Sequence, residues 1–165
     1  WTGAPTWCIE SLTRTCQKTL FIPAGEEKLL VRYSIENKGQ ARLHTSFASE
    51  WNINLLGGGG NEQAYYVIQQ PQQVTSSRFD STGEVASVQS FRIGNSWLQQ
   101  EMHFELSTEA TLWRFSIETI TGSEAGFERT HQGSCVTLLW PLILEGGQTW
   151  NVGIACIGSN PAEKE

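Results

Sequence analysis

Residues 112–120, LWRFSIETI, decide the fold because large and polar side chains alternate along them. The odd-numbered positions from Trp113 to Thr119 form one row, and the even-numbered positions from Arg114 to Glu118 form the other. Successive side chains of a β-strand point to opposite faces of the sheet. The pattern therefore predicts a strand that turns Trp113 toward the core and Arg114 toward solvent.

The next segment, residues 122–133 (GSEAGFERTHQG), is rich in glycine and charge. Such a composition is typical of a loop. A second apolar run, residues 135–141 (CVTLLWP), follows it. We therefore predict two strands joined by a charged loop.

Period-two alternation recurs along the rest of the chain, and no long segment has helical periodicity. The alternating runs, separated by glycine- and asparagine-rich turns, cover residues 28–36, 41–56, 97–107 and 150–156. Many short strands with such turns predict an all-β chain, an antiparallel β-sandwich or barrel. We expect an irregular segment or edge strand at residues 1–18, the β-sandwich domain at 19–157 and a polar tail at 158–165.

The longest alternating run, residues 41–56, has one apolar row and one polar row. Phe47, Trp51 and Ile53 belong to the apolar row, whereas Glu50 and Asn52 belong to the polar row. A row of such polarity is costly to bury in a dry core without partners. We expect it to face solvent, a cleft or another domain, and the glycines at 57–60 to end the strand.

Composition excludes several partners. The chain has 165 residues, a net charge of −6 and scattered Lys and Arg, so we expect one domain and no nucleic-acid partner. No apolar run approaches the length of a membrane span, so no membrane partner is expected. None of the four cysteines forms a Cys-x-x-Cys pair, so no zinc site is indicated; a bridge between Cys8 and Cys16 stays open. The chain begins at Trp1, which suggests a piece of a longer or processed protein.

Three blocks of the chain resemble one family. They are residues 47–56 (FASEWNINLL), residues 112–133, and residues 140–142 (WPL) with the closing strand at Trp150. They are similar to the C-terminal β-sandwich region of glycoside hydrolase family 57 α-amylases and 4-α-glucanotransferases. The resemblance implies a galactose mutarotase-like sandwich that lies beside a catalytic barrel acting on α-1,4-glucans.

The resemblance also implies that this chain is not an enzyme, because the catalytic Glu and Asp of the family belong to the barrel. Glycoside hydrolysis needs two carboxylates about 5 to 9.5 Å apart. Glu124 and Glu128 share one predicted loop, but a solvated charged loop is the better interpretation. His44, His103 and His131 lack metal-ligand spacing, so we expect no metal and no cofactor.

Sugar binding has more support than catalysis. Aromatic rings stack on the apolar faces of glucose while polar side chains bond its hydroxyls. We predict that Trp51, Trp113, Trp140 and Trp150 belong to the core. The candidate carbohydrate-binding residues are Trp97, Tyr65, Tyr66, Glu50, Asn52, Arg114 and Glu118.

Two functions remain open on the sequence. In the first, the chain is a non-catalytic carbohydrate-binding module for starch-like α-1,4-glucan, with an α-glucan oligosaccharide or starch as its partner. In the second, it is a structural accessory domain that packs on a neighbouring catalytic domain and binds no sugar alone. The polar row that holds Glu50 and Asn52 suits either function if it shares a face with Arg114 and Glu118.

Overall fold

The computed structural model describes residues 6–11, 13–55, 61–123 and 126–160. Ten strands and no helix occur within these residues, which confirms the all-β prediction. The strands are β1 (Thr6–Glu10), β2 (Arg14–Phe21), β3 (Lys28–Asn37), β4 (Leu43–Ile53), β5 (Ala64–Gln69), β6 (Val74–Arg78), β7 (Gly83–Asn95), β8 (Gln100–Ser123), β9 (Gly126–Leu144) and β10 (Thr149–Ser159).

The strands pair in antiparallel fashion and form a sheet that folds into two layers. The main path is β1-β2-β3-β10-β8-β7-β5-β6, and β4 pairs with β9, which pairs with β8. Residues 101–106 of β8 pair with β10, whereas residues 111–123 pair with β9. β7 bends near Val88, where its register with β8 shifts and Ser87 has a φ of 54°. The first layer thus holds β1, β2, β3, β10, β5 and β6, the second holds β4 and β9, and β7 and β8 contribute to both.

One hydrophobic core lies between the layers. The ring of Phe47 lies 4.8 Å from that of Tyr33, and the ring of Trp51 lies 5.2 Å from that of Phe104. Tyr33 Oη and Ser49 Oγ share a hydrogen bond of 2.9 Å across the layers. Full burial of side chains of this size contributes about 1.5–3 kcal/mol each. The apolar row of β4 therefore faces inward and its polar row faces solvent, as predicted.

The tryptophans predicted for the core do not all lie there. Trp140 is buried, and Trp51 and Trp150 are half-buried against the core, which confirms three of the four predictions. Trp113 is 45% exposed, so the fourth prediction is wrong.

The error at Trp113 extends to the orientation of residues 112–117. Leu112 and Arg114 face inward, because they pair with the fully buried Leu138 and Val136 of β9, and Phe115 is 47% exposed. Alternation defines two rows along a strand but does not say which row faces inward. The apolar neighbours on β9 determine the choice, and the predicted orientation was wrong.

The prediction of a loop at residues 122–133 is also wrong. β8 continues to Ser123 and β9 begins at Gly126, so the segment forms most of a hairpin. β7 pairs with β8 only up to Arg114, and β4 pairs with β9 only as far as Ser134. Residues 117–123 and 126–133 therefore project as a two-stranded arm. Charged side chains stay solvated on such an arm while its backbone groups bond each other. Glu124 and the glycines at 57–60 lie outside the described residues.

The N-terminal strands β1 and β2 form a hairpin at the edge of the first layer. Cys8 and Cys16 are not joined by a disulfide. The register pairs Cys8 with Gln17 and Ile9 with Cys16, so the two cysteines point to opposite faces of the hairpin.

Candidate functional site

The outer face of the second layer brings exposed aromatic and polar side chains together. Glu50 of β4 pairs with Thr137 of β9, and Thr137 pairs with Trp113 of β8. Paired residues of adjacent strands project from the same face at about 5 Å, so these three side chains form one row. We name the surface formed by this row and the row next to it the Trp113 face. It consists of Trp113, Phe115, Glu50, Asn52 and Thr137.

The second row of the Trp113 face covers a buried cysteine. Cys135 pairs with Asn52 on one side and with Phe115 on the other. Cys135 is buried, and burial raises the pKa of its thiol. A thiol in this state is a packing group and a poor nucleophile. The accessible part of the row is therefore Asn52 and the ring of Phe115.

Spacing and hydrogen bonds suit this face to a polyhydroxyl ligand. Trp113 and Phe115 are two positions apart on one strand, which separates their Cα atoms by about 6.6 Å. Both rings keep nearly half of their surface exposed. Asn52 Nδ2 donates a hydrogen bond of 3.1 Å to Glu50 Oε1, which holds the carboxylate on the same face as the rings, two strand spacings or about 10 Å from Trp113.

The outer face becomes more apolar away from Trp113. Leu139, Pro141 and Ile143 of β9 continue it, and Pro141 and Ile143 are exposed. Their partners on β4 are Ala48, Ser46 and His44. The face therefore has a polar end and an apolar end.

The structure places only Glu50 and Asn52 of the predicted site on the Trp113 face. Tyr66 is 0% exposed and Arg114 is 9% exposed, both on the inner side of the sheet. The guanidinium carbon of Arg114 lies 5.7 Å from the centroid of the Tyr66 ring, and Arg114 Nε donates to Ser81 Oγ at 2.9 Å. Burial lowers the pKa of Arg114. In these positions Tyr66 has no surface, and Arg114 almost none, for a ligand to contact.

Trp97 and Tyr65 lie away from the Trp113 face. Trp97 is 74% exposed in the turn between β7 and β8. Tyr65 is half-buried on the outer face of the first layer and donates a hydrogen bond of 3.0 Å to Glu101 Oε2. Glu101 also pairs with Arg92 at 3.3 Å. Burial, and then the bond to Glu101, raise the pKa of Tyr65 to about 12.

Glu118 lies on the arm, where its carboxylate pairs with Arg129 at 3.4 Å. It belongs to the same row of β8 as the inward-facing Arg114. The condition that Glu50 and Asn52 share a face with Arg114 and Glu118 is therefore not met. The physical reason is that β8 has the reverse of the predicted orientation, so that Trp113 rather than Arg114 lies on the outer face with Glu50.

Sequence reasoning missed Trp113 and Phe115 as surface residues. Residues 135–140 are mostly apolar at both odd and even positions, so the sequence of β9 indicates a strand that is buried on both faces. It therefore gave little indication of which face of β8 is exposed. The register places Val136 and Leu138 on one face with Arg114 and Leu112, and their burial shows that this face is the inner one.

Other chemistry is sparse among the described residues. No group of three or more His, Cys, Asp or Glu side chains could hold a metal ion there. His131 Nδ1 lies 2.7 Å from Ser116 Oγ, and His103 Nδ1 lies 3.7 Å from Glu105 Oε1. Glu128 is exposed on the arm. No helix in the described ranges is long and apolar enough to cross a membrane.

The fold defines this chain as an antiparallel β-sandwich of the galactose mutarotase-like type. A putative aldose 1-epimerase from Escherichia coli K12 matches with a TM-score of 0.62 and 12% identity, over 93% of this chain and 64% of that one. A 4-α-glucanotransferase from Thermococcus litoralis matches with a TM-score of 0.59 and 17% identity, over 87% of this chain and 18% of that one.

The family follows from the sequence. The pattern of the family described as "Alpha-amylase/4-alpha-glucanotransferase, C-terminal" matches residues 8–154, and the chain belongs to this family. It is 33% identical over 124 residues to α-amylase 1 of Dictyoglomus thermophilum, covering 75% of this chain and 17% of that protein. The chain therefore corresponds to a small C-terminal part of such proteins, and the resemblance stated from its sequence is confirmed.

Proposed function

We propose that this chain is a non-catalytic accessory domain that binds starch-like α-1,4-glucan through the Trp113 face. The observation that carries the proposal is the pair of exposed rings, Trp113 and Phe115, on the same sheet face as the hydrogen-bonded pair Glu50 and Asn52. Membership of an α-amylase and 4-α-glucanotransferase family supports α-glucan as the ligand.

The interactions available at the face imply modest affinity. Each ring that stacks on a sugar contributes about 0.5–1.5 kcal/mol beyond area burial. Glu50, Asn52 and Thr137 supply acceptors and donors for sugar hydroxyls. Two rings with such support correspond to a Kd between about 10 µM and 1 mM.

The proposed role excludes catalysis at this face. Among the described residues, Glu50 on β4 lies on the Trp113 face, and Glu84 on β7, which pairs with Trp113, borders it. Three strand spacings separate them, which is about 14 Å. Glycosidases need their two carboxylates about 5 to 9.5 Å apart. Glu50 and Glu84 therefore serve as hydrogen-bonding groups.

A second function, packing on a neighbouring catalytic domain, is favoured by the apolar end of the same outer face. Leu139, Pro141 and Ile143 offer little to a sugar hydroxyl, but they suit a protein contact. Sugar contact at the Trp113 face and packing at the apolar end are compatible at the edge of a cleft. Sugar binding by the isolated chain separates the two functions, since a packing domain has no need of it.

Calorimetric titration of the isolated chain with maltoheptaose tests the proposal. We expect binding by the wild type, and Trp113→Ala should weaken it roughly tenfold if the stacked ring supplies about 1.4 kcal/mol. Phe127→Ala is the matched control, since Phe127 is an aromatic side chain of the arm that is 87% exposed. It should bind as the wild type does.

The same titration examines the site predicted from sequence, whose ring Trp97 lies elsewhere. If Trp97→Ala weakens binding and Trp113→Ala leaves it unchanged, the site belongs to the turn at Trp97 and the Trp113 face is not the site. If the wild type binds no maltoheptaose, packing on a catalytic domain becomes the better function.

A further inference from the structure

A depression lies on the outer face of the first layer, on the opposite layer from the Trp113 face. Its volume is about 550 Å³, and it lies over Gly153 and Ala155 of β10. These small residues are flanked by Arg32 of β3 and by Glu105 of β8. The depression therefore arises because β10 carries small side chains here, whereas the strands on either side of it carry large ones. We name it the Gly153 depression.

The floor and rim of the Gly153 depression combine an apolar surface with an aromatic ring. Leu30 and Ala155 form part of the lining and pair with each other. Phe21, which pairs with Leu30, is 51% exposed. Binding sites for small ligands are concave and mostly apolar, with a few polar groups that fix orientation.

The polar groups of the Gly153 depression include a cation, an anion and a serine hydroxyl. Arg32 forms no hydrogen bond or ion pair with any other described residue, so its five N–H donors are available. Glu105 is exposed, with its carboxylate 3.7 Å from His103 Nδ1. Ser107 Oγ accepts a 2.8 Å hydrogen bond from the backbone N–H of Gly153, which leaves its own proton free to donate.

The charges favour a neutral polar ligand. Arg32 pairs with Gly153 and Glu105 pairs with Ala155, so their Cα atoms are two strand spacings and two residues apart, which is about 12 Å. An anionic ligand between them would meet the carboxylate of Glu105, and a cationic ligand would meet the guanidinium of Arg32. A pyranose ring instead offers hydroxyl oxygens to Arg32, hydroxyl protons to Glu105 and an apolar face to Phe21.

We propose that the Gly153 depression is a second carbohydrate site that takes a single pyranose unit or a short oligosaccharide such as maltose. It is independent of the Trp113 face, since the two lie on opposite layers. The choice of glucose as the sugar rests on the function proposed above, whereas the class of ligand rests on the depression itself.

Gly153 allows the depression to be filled without disturbing the strand. A Cβ at this position would lie 3.7 Å from the Cβ and Oγ of Ser107, which is ordinary van der Waals contact. Gly153→Val therefore adds bulk over the floor with a residue that favours strands. Asn151→Val is the matched control, because Asn151 projects from the same face of β10 but lies outside the lining.

Calorimetric titration of the full chain with maltose tests the proposal, with thermal melts to confirm folding. We expect Gly153→Val to weaken maltose binding at least tenfold and Asn151→Val to leave it unchanged. Arg32→Ala, a substitution at an exposed position, should weaken maltose binding about tenfold. It provides the test if Gly153→Val fails to fold. Wild-type affinity in both Arg32→Ala and a folded Gly153→Val overturns the proposal, as does the absence of maltose binding by the wild type.

The Trp113→Ala variant separates the failure of this proposal from failure of the proposed function. Maltose binding that persists in Trp113→Ala and is lost in Gly153→Val supports the depression, whatever happens at the Trp113 face. Maltose binding that is lost in Trp113→Ala and intact in Gly153→Val contradicts the depression and supports the face alone.

Discussion

Arg114 illustrates, at the scale of one residue, how the second layer is oriented. A guanidinium is costly to bury, yet Arg114 lies inside, with Ser81 as its hydrogen-bond partner and the ring of Tyr66 beneath its charge. Gly83 leaves room for it, since a Cβ there would lie 3.2 Å from Nη2. These contacts allow Leu112 to enter the core and place Trp113 in solvent.

The two tyrosines of β5 should make the protein lose stability at alkaline pH. Burial raises the pKa of both Tyr65 and Tyr66 to about 12, from an ordinary value of 10. The unfolded chain therefore releases these protons first. Their contribution to stability is complete below pH 10 and is lost as the pH rises toward 12. Ultraviolet titration of the phenolates should show a component near pH 12 that Tyr65→Phe and Tyr66→Phe each reduce; ionisation of every phenol near pH 10 would contradict the burial.

Replacement of Trp140 and of Trp113 should lower stability by very different amounts. Trp140 is buried, and its Nε1 donates to the backbone oxygen of Thr108 at 3.2 Å. Trp140→Ala should cost about 3–5 kcal/mol. Trp113→Ala, at an exposed position, should cost about 1 kcal/mol or less. Urea denaturation measures both, and equal losses would argue that Trp113 belongs to the core.

At the scale of elements, the arm depends on close packing at its base. Gly133 pairs with Ile117, and the register shifts just beyond this pair. A Cβ on Gly133 would lie 2.6 Å from the backbone oxygen of Ile53 on β4. The backbone of β4 approaches β9 there so closely that only glycine fits.

Gly133→Ala should therefore destabilise the fold by about 1–3 kcal/mol, because backbone must move to admit the methyl group. Gly122→Ala is the control within the same arm, since a Cβ there meets nothing within 4 Å and its φ is not positive. It should be neutral or stabilising by up to about 1 kcal/mol. Thermal melts of the two variants decide the matter, and equal melting temperatures would contradict the close approach at Gly133.

At the scale of the whole molecule, the sandwich presents two separate outer faces around one core. The second layer exposes the Trp113 face, and the first layer exposes the Gly153 depression and the hydrogen-bonded group of Tyr65, Glu101 and Arg92. Each surface arises from strand residues, so both are held by the backbone of the sheet. Sites on strands are positioned more precisely than sites on loops.

Much of this fold could be predicted from the sequence because alternation is local. The strands around Val31, Phe47 and Phe104 follow from period two, and so does the solvent-facing row of Glu50 and Asn52. The orientation of Trp113 could not be predicted, because it depends on register with a distant strand that is apolar on both faces. The Gly153 depression could not be predicted for the same reason, since its lining residues come from four strands, β2, β3, β8 and β10.

Affinity electrophoresis of the purified wild-type chain in gels with and without soluble starch tests α-glucan binding most directly. The account predicts that starch retards the chain relative to a non-binding reference protein, and that Trp113→Ala restores most of the mobility while Phe127→Ala does not. Equal mobility of the wild type in both gels would contradict the account and leave this chain as a domain that only packs on its neighbours.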